Sequence, residues 1–302
     1  MHYLITGAGQ IGRQLAADLS GSGHDATMLR RGTGAVPGAR VRSGDAGDRA
    51  ELRDAASGAA AILHCIHAPY SARAWRQQLP QREQAVMDVA AELGIPVVFP
   101  ESVYAFGHGA RHLAESSPIA PVSPLGEVRA ELLAARAEHP ALTASVVASD
   151  LVGPTAVAQS SAIVATVLAP AATGRRVWAM GDPDAPHAVT SIPDLARALI
   201  AAIALASADG TVLTAPTPAA RSQRDMARDA ARTNGSSDPT VSPLPRAILA
   251  AGGIVSPMLR ELARQHYLWA APSEIRPGRL TTELGLAPTP WDRTLAEWHA
   301  AR

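Results

Sequence analysis

The chain has no lysine among its 302 residues and a single cysteine, Cys65. Without lysine it can form no lysine Schiff base, carry no P-loop lysine and place no lysine beside a catalytic tyrosine. With one cysteine it can form no intrachain disulfide and no metal site built from several cysteines. Every permanently charged basic side chain is therefore an arginine, and the cysteine usage is typical of a reducing compartment.

Positive charge and long apolar runs are also scarce. The 27 arginines are matched by 27 acidic residues, with no basic run, whereas nucleic-acid binding needs a surplus or a patch of positive charge. The most apolar later stretch, residues 196–206, is too short to cross a bilayer. The N-terminus has neither the charged start nor the apolar region of a signal peptide. We therefore expect a cytoplasmic protein without nucleic-acid or membrane partners.

The first half of the chain alternates short apolar runs with helical patterns. Strands are predicted at residues 3–5, 26–29, 40–42, 59–66, 96–99 and 143–148, and helices at residues 10–19, 75–93 and 123–138. Alternating strands and helices predict a parallel sheet covered on both faces, and right-handed crossovers favour the doubly wound order of an α/β protein.

The pattern changes after Gly153 and Pro154. Helices are predicted at residues 162–173, 192–206 and 223–233, separated by short extended segments. We therefore expect a dinucleotide-binding domain of Rossmann type over residues 1–154. A smaller, mixed substrate lobe would cover residues 155–302, with parts that return to the main sheet.

Gly7, Gly9 and Gly12 form a Gly-x-Gly-x-x-Gly motif, with Gln10 and Ile11 inside it, directly after the first predicted strand. Gly7 would permit the tight turn, Gly9 a close approach of the backbone to a pyrophosphate, and Gly12 close helix–strand packing. The following helix would present free N–H groups to the phosphates. A merely glycine-rich turn is the alternative, but the strand–turn–helix context favours a dinucleotide site.

The ends of the second and third strands indicate which dinucleotide binds. Arg30 and Arg31 suit a ribose 2′-phosphate and predict NADP rather than NAD, although a solvated arginine pair is the alternative. Asp45 could accept from the adenine amino group, or could cap the helix that starts near Asp48.

Residues 6–12, together with residues 62–65, 98–107 and 148–154, resemble the short-chain dehydrogenase/reductase superfamily in its extended, epimerase/dehydratase-like branch. The resemblance implies an NAD(P)-dependent enzyme with Cys65 on the nicotinamide side of the cofactor. It also implies a homodimer formed by helices 75–93 and 123–138. The charged residues assigned to the outer faces of these helices also suit plain solvation; they are Arg82, Glu83, Glu131, Arg136 and Glu138.

The chain departs from this family at the catalytic positions. The family uses a Tyr-x-x-x-Lys pair with a Ser or Thr, and the matching positions here are Leu125, Arg129 and Pro100. Arg129 could hold the cofactor ribose or phosphate, but it cannot act as a base because it does not deprotonate.

Other residues, or water, must then move any proton. Tyr104, after the fifth strand, is one candidate, and His67 and His187 are two more; each could instead have a structural role. Tyr70, Trp75 and Ser102 are expected to line the substrate pocket. No metal is predicted, because His64 and Cys65 point to opposite faces of a strand and no second cluster exists.

These residues predict an NADP-dependent oxidoreductase or epimerase-like enzyme acting on a small carbonyl or hydroxyl substrate. Two alternatives stay open. One is an NADP-binding sensor or regulator without turnover, and the other is a non-redox biosynthetic step on the same fold.

Overall fold

A computed structural model describes residues 1–302. Its main sheet has seven strands in the order β11-β6-β5-β4-β1-β2-β3, and every pair in it is parallel. The strands are β1 His2–Thr6, β2 Asp25–Arg30, β3 Arg40–Ser43, β4 Ile62–His64, β5 Val97–Ser102, β6 Thr143–Ala148, β7 Asp150–Val152, β8 Val177–Ala179, β9 Pro186–His187, β10 Val189–Ser191, β11 Thr211–Thr214, β12 Arg221–Ser222 and β13 Val241–Pro243. The predicted doubly wound α/β fold is confirmed.

Helices cover both faces of the sheet. They are α1 Gln10–Gly21, α2 Arg49–Ala55, α3 Ala72–Leu93, α4 Pro124–Glu138, α5 Ala169–Ala172, α6 Ile192–Ala202, α7 Gln223–Thr233, α8 Arg246–Gly252, α9 Pro257–Gln265, α10 Arg279–Thr282 and α11 Trp291–Ala300. Helices α1 and α6 share one hydrophobic cluster, and α2 and α3 contribute to another. No helix is long and apolar enough to span a membrane.

The central strands are apolar on both sides, as a sheet between two helical layers requires. All six residues of β6 are buried, as are Val97, Val98 and Phe99 of β5. Strand β4 is shorter than the predicted 59–66. It pairs with β1 and β5 only over Ile62–His64, and Cys65 and Ile66 leave the sheet to line the crevice described below.

The C-terminal half departs further from the predicted elements. The predicted helix 162–173 contains a π-helical turn over Val164–Leu168, and Ile203–Leu205 form a 3₁₀ turn after α6. Helices α8, α9 and α11 were not among the predicted helices. Pro257 occupies the first turn of α9, where a missing N–H costs nothing.

One strand of this half, β11, pairs with β6 at the edge of the main sheet. The division into a dinucleotide-binding domain and a substrate lobe stays a prediction.

Candidate active site

A cavity of about 490 Å³ opens at the carboxyl ends of the strands. One wall is the turn from β1 into α1, and the others follow β4, β5 and β6. Because the strand order reverses at β1, this is the crevice where open α/β sheets bind their ligands.

The three motif glycines have different roles in the structure. Gly7 has a φ of +94°, and a Cβ there would lie 2.9 Å from the main-chain oxygen of Cys65. A Cβ on Gly12 would collide with the main-chain oxygen of Gly7. Gly9 has an ordinary extended conformation, and a Cβ there would meet nothing within 4 Å. The fold itself therefore requires Gly7 and Gly12, whereas Gly9 faces open space that a ligand can use.

The N-terminus of α1 fits a pyrophosphate. No side chain caps it, so the N–H groups of its first turn remain available to an anion. Gly9, Gln10 and Ile11 line the cavity. The Gln10 main-chain oxygen also accepts the Thr155 hydroxyl at 2.8 Å, which ties the C-terminal half to the phosphate-binding turn.

Arg30, Arg31 and Asp45 do not line the cavity. Strands β1 and β2 are neighbours, and Thr6 pairs with Leu29. Gly7 and Arg30 directly follow these two residues, so both lie at the same edge of the sheet. Arg31 and Asp45 are exposed. The capping role considered for Asp45 is wrong, because Asp48 caps α2, whereas the Asp45 carboxylate accepts from the N–H of Gly47 at 2.9 Å.

A group of aromatic side chains faces the nucleotide-binding turn across the cavity. The hydroxyl groups of Tyr70 and Tyr104 lie 3.0 Å apart, and the Tyr104 ring stacks on Trp75 with 10° between their planes. Burial raises the pKa of both phenols above the ordinary value of 10.0, and the negative charge of Asp150 raises the pKa of Tyr104 further. Both hydroxyl groups are therefore protonated at neutral pH and can donate.

His67 is held in one neutral form. Its Nδ1 lies 2.6 Å from the carbonyl oxygen of Ala68 and must donate to it, so Nε2 accepts from Arg129 at 3.2 Å. Desolvation, followed by the charge of Arg129, lowers the pKa of His67 to about 4. These contacts argue against His67 as a general acid, since the neutral ring keeps a single proton and that proton is bound to Ala68.

The three residues at the predicted catalytic positions, Leu125, Pro100 and Arg129, lie in different surroundings. Leu125 is fully buried in an apolar cluster beside Trp75 and does not reach the cavity. Pro100 and Arg129 both line it. Arg129 stacks over the Trp75 ring at 4.4 Å, and its Nε is 3.4 Å from Glu101 Oε1 without a hydrogen bond.

A buried ion-pair network, formed by Glu83, Arg136, Glu101 and Arg129, runs from α3 to the cavity. Arg136 is 1% exposed and donates to both carboxylate oxygens of Glu83, at 2.7 and 2.8 Å, and to Glu101 Oε2 at 2.9 Å. The assignment of Glu83 and Arg136 to solvated outer faces is therefore wrong. Sequence reasoning missed the network because the amphipathic pattern of α4 is too weak to show which way Arg136 points.

His187 reaches the cavity wall through a second set of contacts. Its Nε2 donates to Asp150 Oδ2 at 2.7 Å, and its Nδ1 shares a hydrogen bond with the Ser273 hydroxyl at 3.0 Å. Trp269 Nε1 donates to the same Asp150 oxygen at 3.0 Å. Sequence reasoning missed Asp150 and Trp269. The position of Asp150 just after β6, at the ligand-binding edge, was the available signal.

Two further predicted residues lie in the wall. Ser102 donates its N–H to Glu101 Oε1 at 2.7 Å and lines the cavity. Cys65 also lines it, and burial raises the pKa of its thiol to about 12, so the thiol is unreactive. The structure thus brings Cys65, His67, Tyr70, Trp75, Ser102, Tyr104, Arg129 and His187 to one cavity.

Known proteins resemble this chain in sequence and in fold. A model described as the NAD dependent epimerase/dehydratase family matches residues 3–213. Similar solved structures include MoeE5 in complex with UDP-glucose and NAD (20% identity, TM-score 0.72, 100% of this chain and 98% of that chain). Another is the UDP-glucose 4-epimerase of Thermotoga maritima with UDP-glucose (14%, 0.75, 100% and 98%). A third is WbmH of Bordetella bronchiseptica in complex with NAD⁺ (15%, 0.76, 99% and 97%). The sequence has no significant match among curated proteins.

Proposed function

The chain belongs to the NAD dependent epimerase/dehydratase family, and on that premise we propose an NADP-dependent reductase or epimerase-like enzyme for a small carbonyl or hydroxyl substrate. One observation carries the proposal. The open backbone at Gly9 and the paired phenols of Tyr70 and Tyr104 line the same cavity, at the sheet edge where this fold binds ligands.

The cofactor would be held along the wall that begins at α1. The backbone of Gly9, Gln10 and Ile11 would bind the pyrophosphate, with Gly7 and Gly12 shaping the turn. Arg30 and Arg31 would bind the 2′-phosphate and favour NADP, and Asp45 would accept from the adenine. A bound nicotinamide supplies or accepts a hydride at its C4 carbon.

On the nicotinamide side, Cys65 and Arg129 are the proposed contacts. Arg129 would offer its guanidinium to the ribose, but it cannot act as a base because it does not deprotonate.

Proton transfer is proposed for Tyr104. A phenol with a raised pKa holds its proton at neutral pH, so Tyr104 suits donation to a carbonyl oxygen better than removal of a proton from an alcohol. Tyr70, hydrogen-bonded to it, can relay a proton from solvent water to Tyr104, so that both phenols are protonated again after each turnover. His187 would act through Asp150 by holding that carboxylate in place.

Binding of NADPH to a Gly9→Ala variant tests the cofactor site. The added methyl meets nothing in the protein, so the variant should fold, yet it would occupy the path of the pyrophosphate. Gly21→Ala, at the other end of α1 and equally free of contacts, is the matched control. We expect calorimetry to show a loss of at least about tenfold for Gly9→Ala alone. Unchanged affinity in folded Gly9→Ala would refute the assignment.

An NADP-binding regulator without turnover is the second candidate, and the burial of Leu125 away from the cavity favours it. The two functions differ in one measurement. A regulator would bind NADPH and consume none of it with any member of a panel of aldehydes and ketones.

We retain a homodimer through α3 and α4 as a proposal. Charged side chains on the outer faces of these helices include Arg76 and Glu131, whose Nη2 and Oε1 atoms lie 2.9 Å apart on the surface. Light scattering at micromolar concentration measures the mass directly, and a monomer there would end the proposal.

A further inference from the structure

Charge is unevenly distributed in the wall of the cavity. Within the buried ion-pair network, two glutamates face two arginines, so their charges cancel. Asp150 is the remaining carboxylate of the wall. Its hydrogen-bond donors are Nε2 of His187 and Nε1 of Trp269. No arginine pairs with Asp150, so the substrate side of the cavity carries an acidic group that lies outside the ion-pair network.

Asp150 also has a free acceptor. Both of its donors use Oδ2, and Oδ1 accepts no hydrogen bond within the protein. The side chain is 16% exposed. A carboxylate oxygen in this position binds a hydroxyl hydrogen strongly and repels an anion.

The cavity offers little to a phosphate on this side. Arg129 is its only arginine, and that guanidinium is already shared among Glu101, His67 and the Trp75 ring. A nucleoside diphosphate placed against Asp150 would lose its hydration without gaining cationic partners, which is costly.

Aromatic and apolar side chains also line the cavity. They include Tyr70, Tyr104, Leu268 and Trp269. Flat side chains of this kind bury the body of a ring compound.

We propose that the substrate half of the cavity takes a small, uncharged, phosphate-free ring compound whose hydroxyl group donates to Oδ1 of Asp150. This inference rests on the proposed function and narrows its substrate class, away from the UDP-glucose bound in two of the similar structures.

Three probes test the proposal on the full chain with NADP⁺ present: benzyl alcohol, benzoate and UDP-glucose. Ligand-observed NMR at millimolar concentration detects weak binding of each. The wild type should give a binding signal with benzyl alcohol and no binding signal with benzoate or UDP-glucose. Asp150→Asn keeps an oxygen for His187 and Trp269 and so turns an N–H₂ group toward the cavity. The affinity of this variant for benzyl alcohol should be about fivefold lower than that of the wild type, because a charged acceptor is lost. The variant should also bind benzoate.

Asp184→Asn is the control, since Asp184 lies on the surface in a pair with Arg224. It should behave as the wild type. Binding of UDP-glucose to the wild type, equal signals from benzoate and benzyl alcohol, or no signal from any probe would each overturn the proposal. The NADP⁺ signal in the same samples reports the cofactor site separately. If NADP⁺ did not bind while benzyl alcohol alone of the three probes did, the result would contradict the proposed function but support this inference.

Discussion

Arg129 donates to Nε2 of His67 across 3.2 Å, at the helix position where the sequence resemblance predicts a lysine. The guanidinium thereby occupies the only lone pair that the imidazole has left, since Nδ1 is bound to Ala68. Both ring nitrogens of His67 are therefore engaged, and the imidazole is not free to exchange a proton with a ligand in the cavity.

The pKa of His67 should respond to this arginine. In the wild type it is lowered to about 4, so the ring is neutral throughout the physiological range and adds no step near pH 6.5 to a rate profile. Arg129→Gln removes the positive charge, and we expect the pKa to rise toward 6.5 while desolvation keeps it below that value. NMR titration of the imidazole Cε1 proton measures it. Arg76→Gln, on the surface of α3, is the control, and an unchanged pKa in Arg129→Gln would contradict the assignment.

Tyr104→Phe should lower the rate of carbonyl reduction about 10²-fold, because the proton donor is lost while the ring remains. The variant should bind NADPH normally, which separates chemistry from cofactor binding. Tyr3→Phe, in β1 and away from the cavity, is the control. If the Tyr104→Phe variant kept full activity on an identified substrate, Tyr104 would be a packing residue.

Cofactor preference should depend on Arg30 and Arg31. A 2′-phosphate accepts charge-assisted hydrogen bonds from arginine, so NADP should bind at least about tenfold tighter than NAD, a difference of about 1.4 kcal/mol. Replacing both arginines with alanine should abolish the preference and leave NAD affinity nearly unchanged. Arg42→Ala, on β3, serves as the control. Equal affinities of the wild type for the two cofactors at low salt would refute the prediction.

Arg136→Met should destabilise the fold strongly. The substitution leaves the buried carboxylates of Glu83 and Glu101 without the guanidinium that pairs with both. Removing one partner of a buried ion pair lowers the free energy of unfolding by about 3–5 kcal/mol. Arg76→Met breaks only a surface pair with Glu131 and should cost less than about 1 kcal/mol. Urea denaturation compares the two variants. A similar, small loss in both would show that the network contributes nothing to stability.

The sequence by itself determined the parallel sheet and the nucleotide-binding turn. Both depend on local patterns: apolar runs of strand length, and glycines whose neighbours in the chain form the turn. The sequence therefore predicted separate roles for Gly7, Gly9 and Gly12. The close contacts at Gly7 and Gly12 are consistent with the roles in the turn and in packing, and the pyrophosphate role of Gly9 stays a prediction. Helices α8, α9 and α11 were not predicted, although a proline stands at the start of each, a position that prolines favour in helices.

Only the tertiary structure decided which groups meet in the cavity. Tyr70 and Tyr104 are 34 residues apart in the chain, His187 and Asp150 are 37 apart, and Arg136 and Glu83 are 53 apart. Such contacts depend on strand order and on the rotation of each helix about its axis, which no local pattern records. Burial then sets the charge of the groups that meet, because desolvation and neighbouring charges hold His67 neutral and keep both phenols protonated.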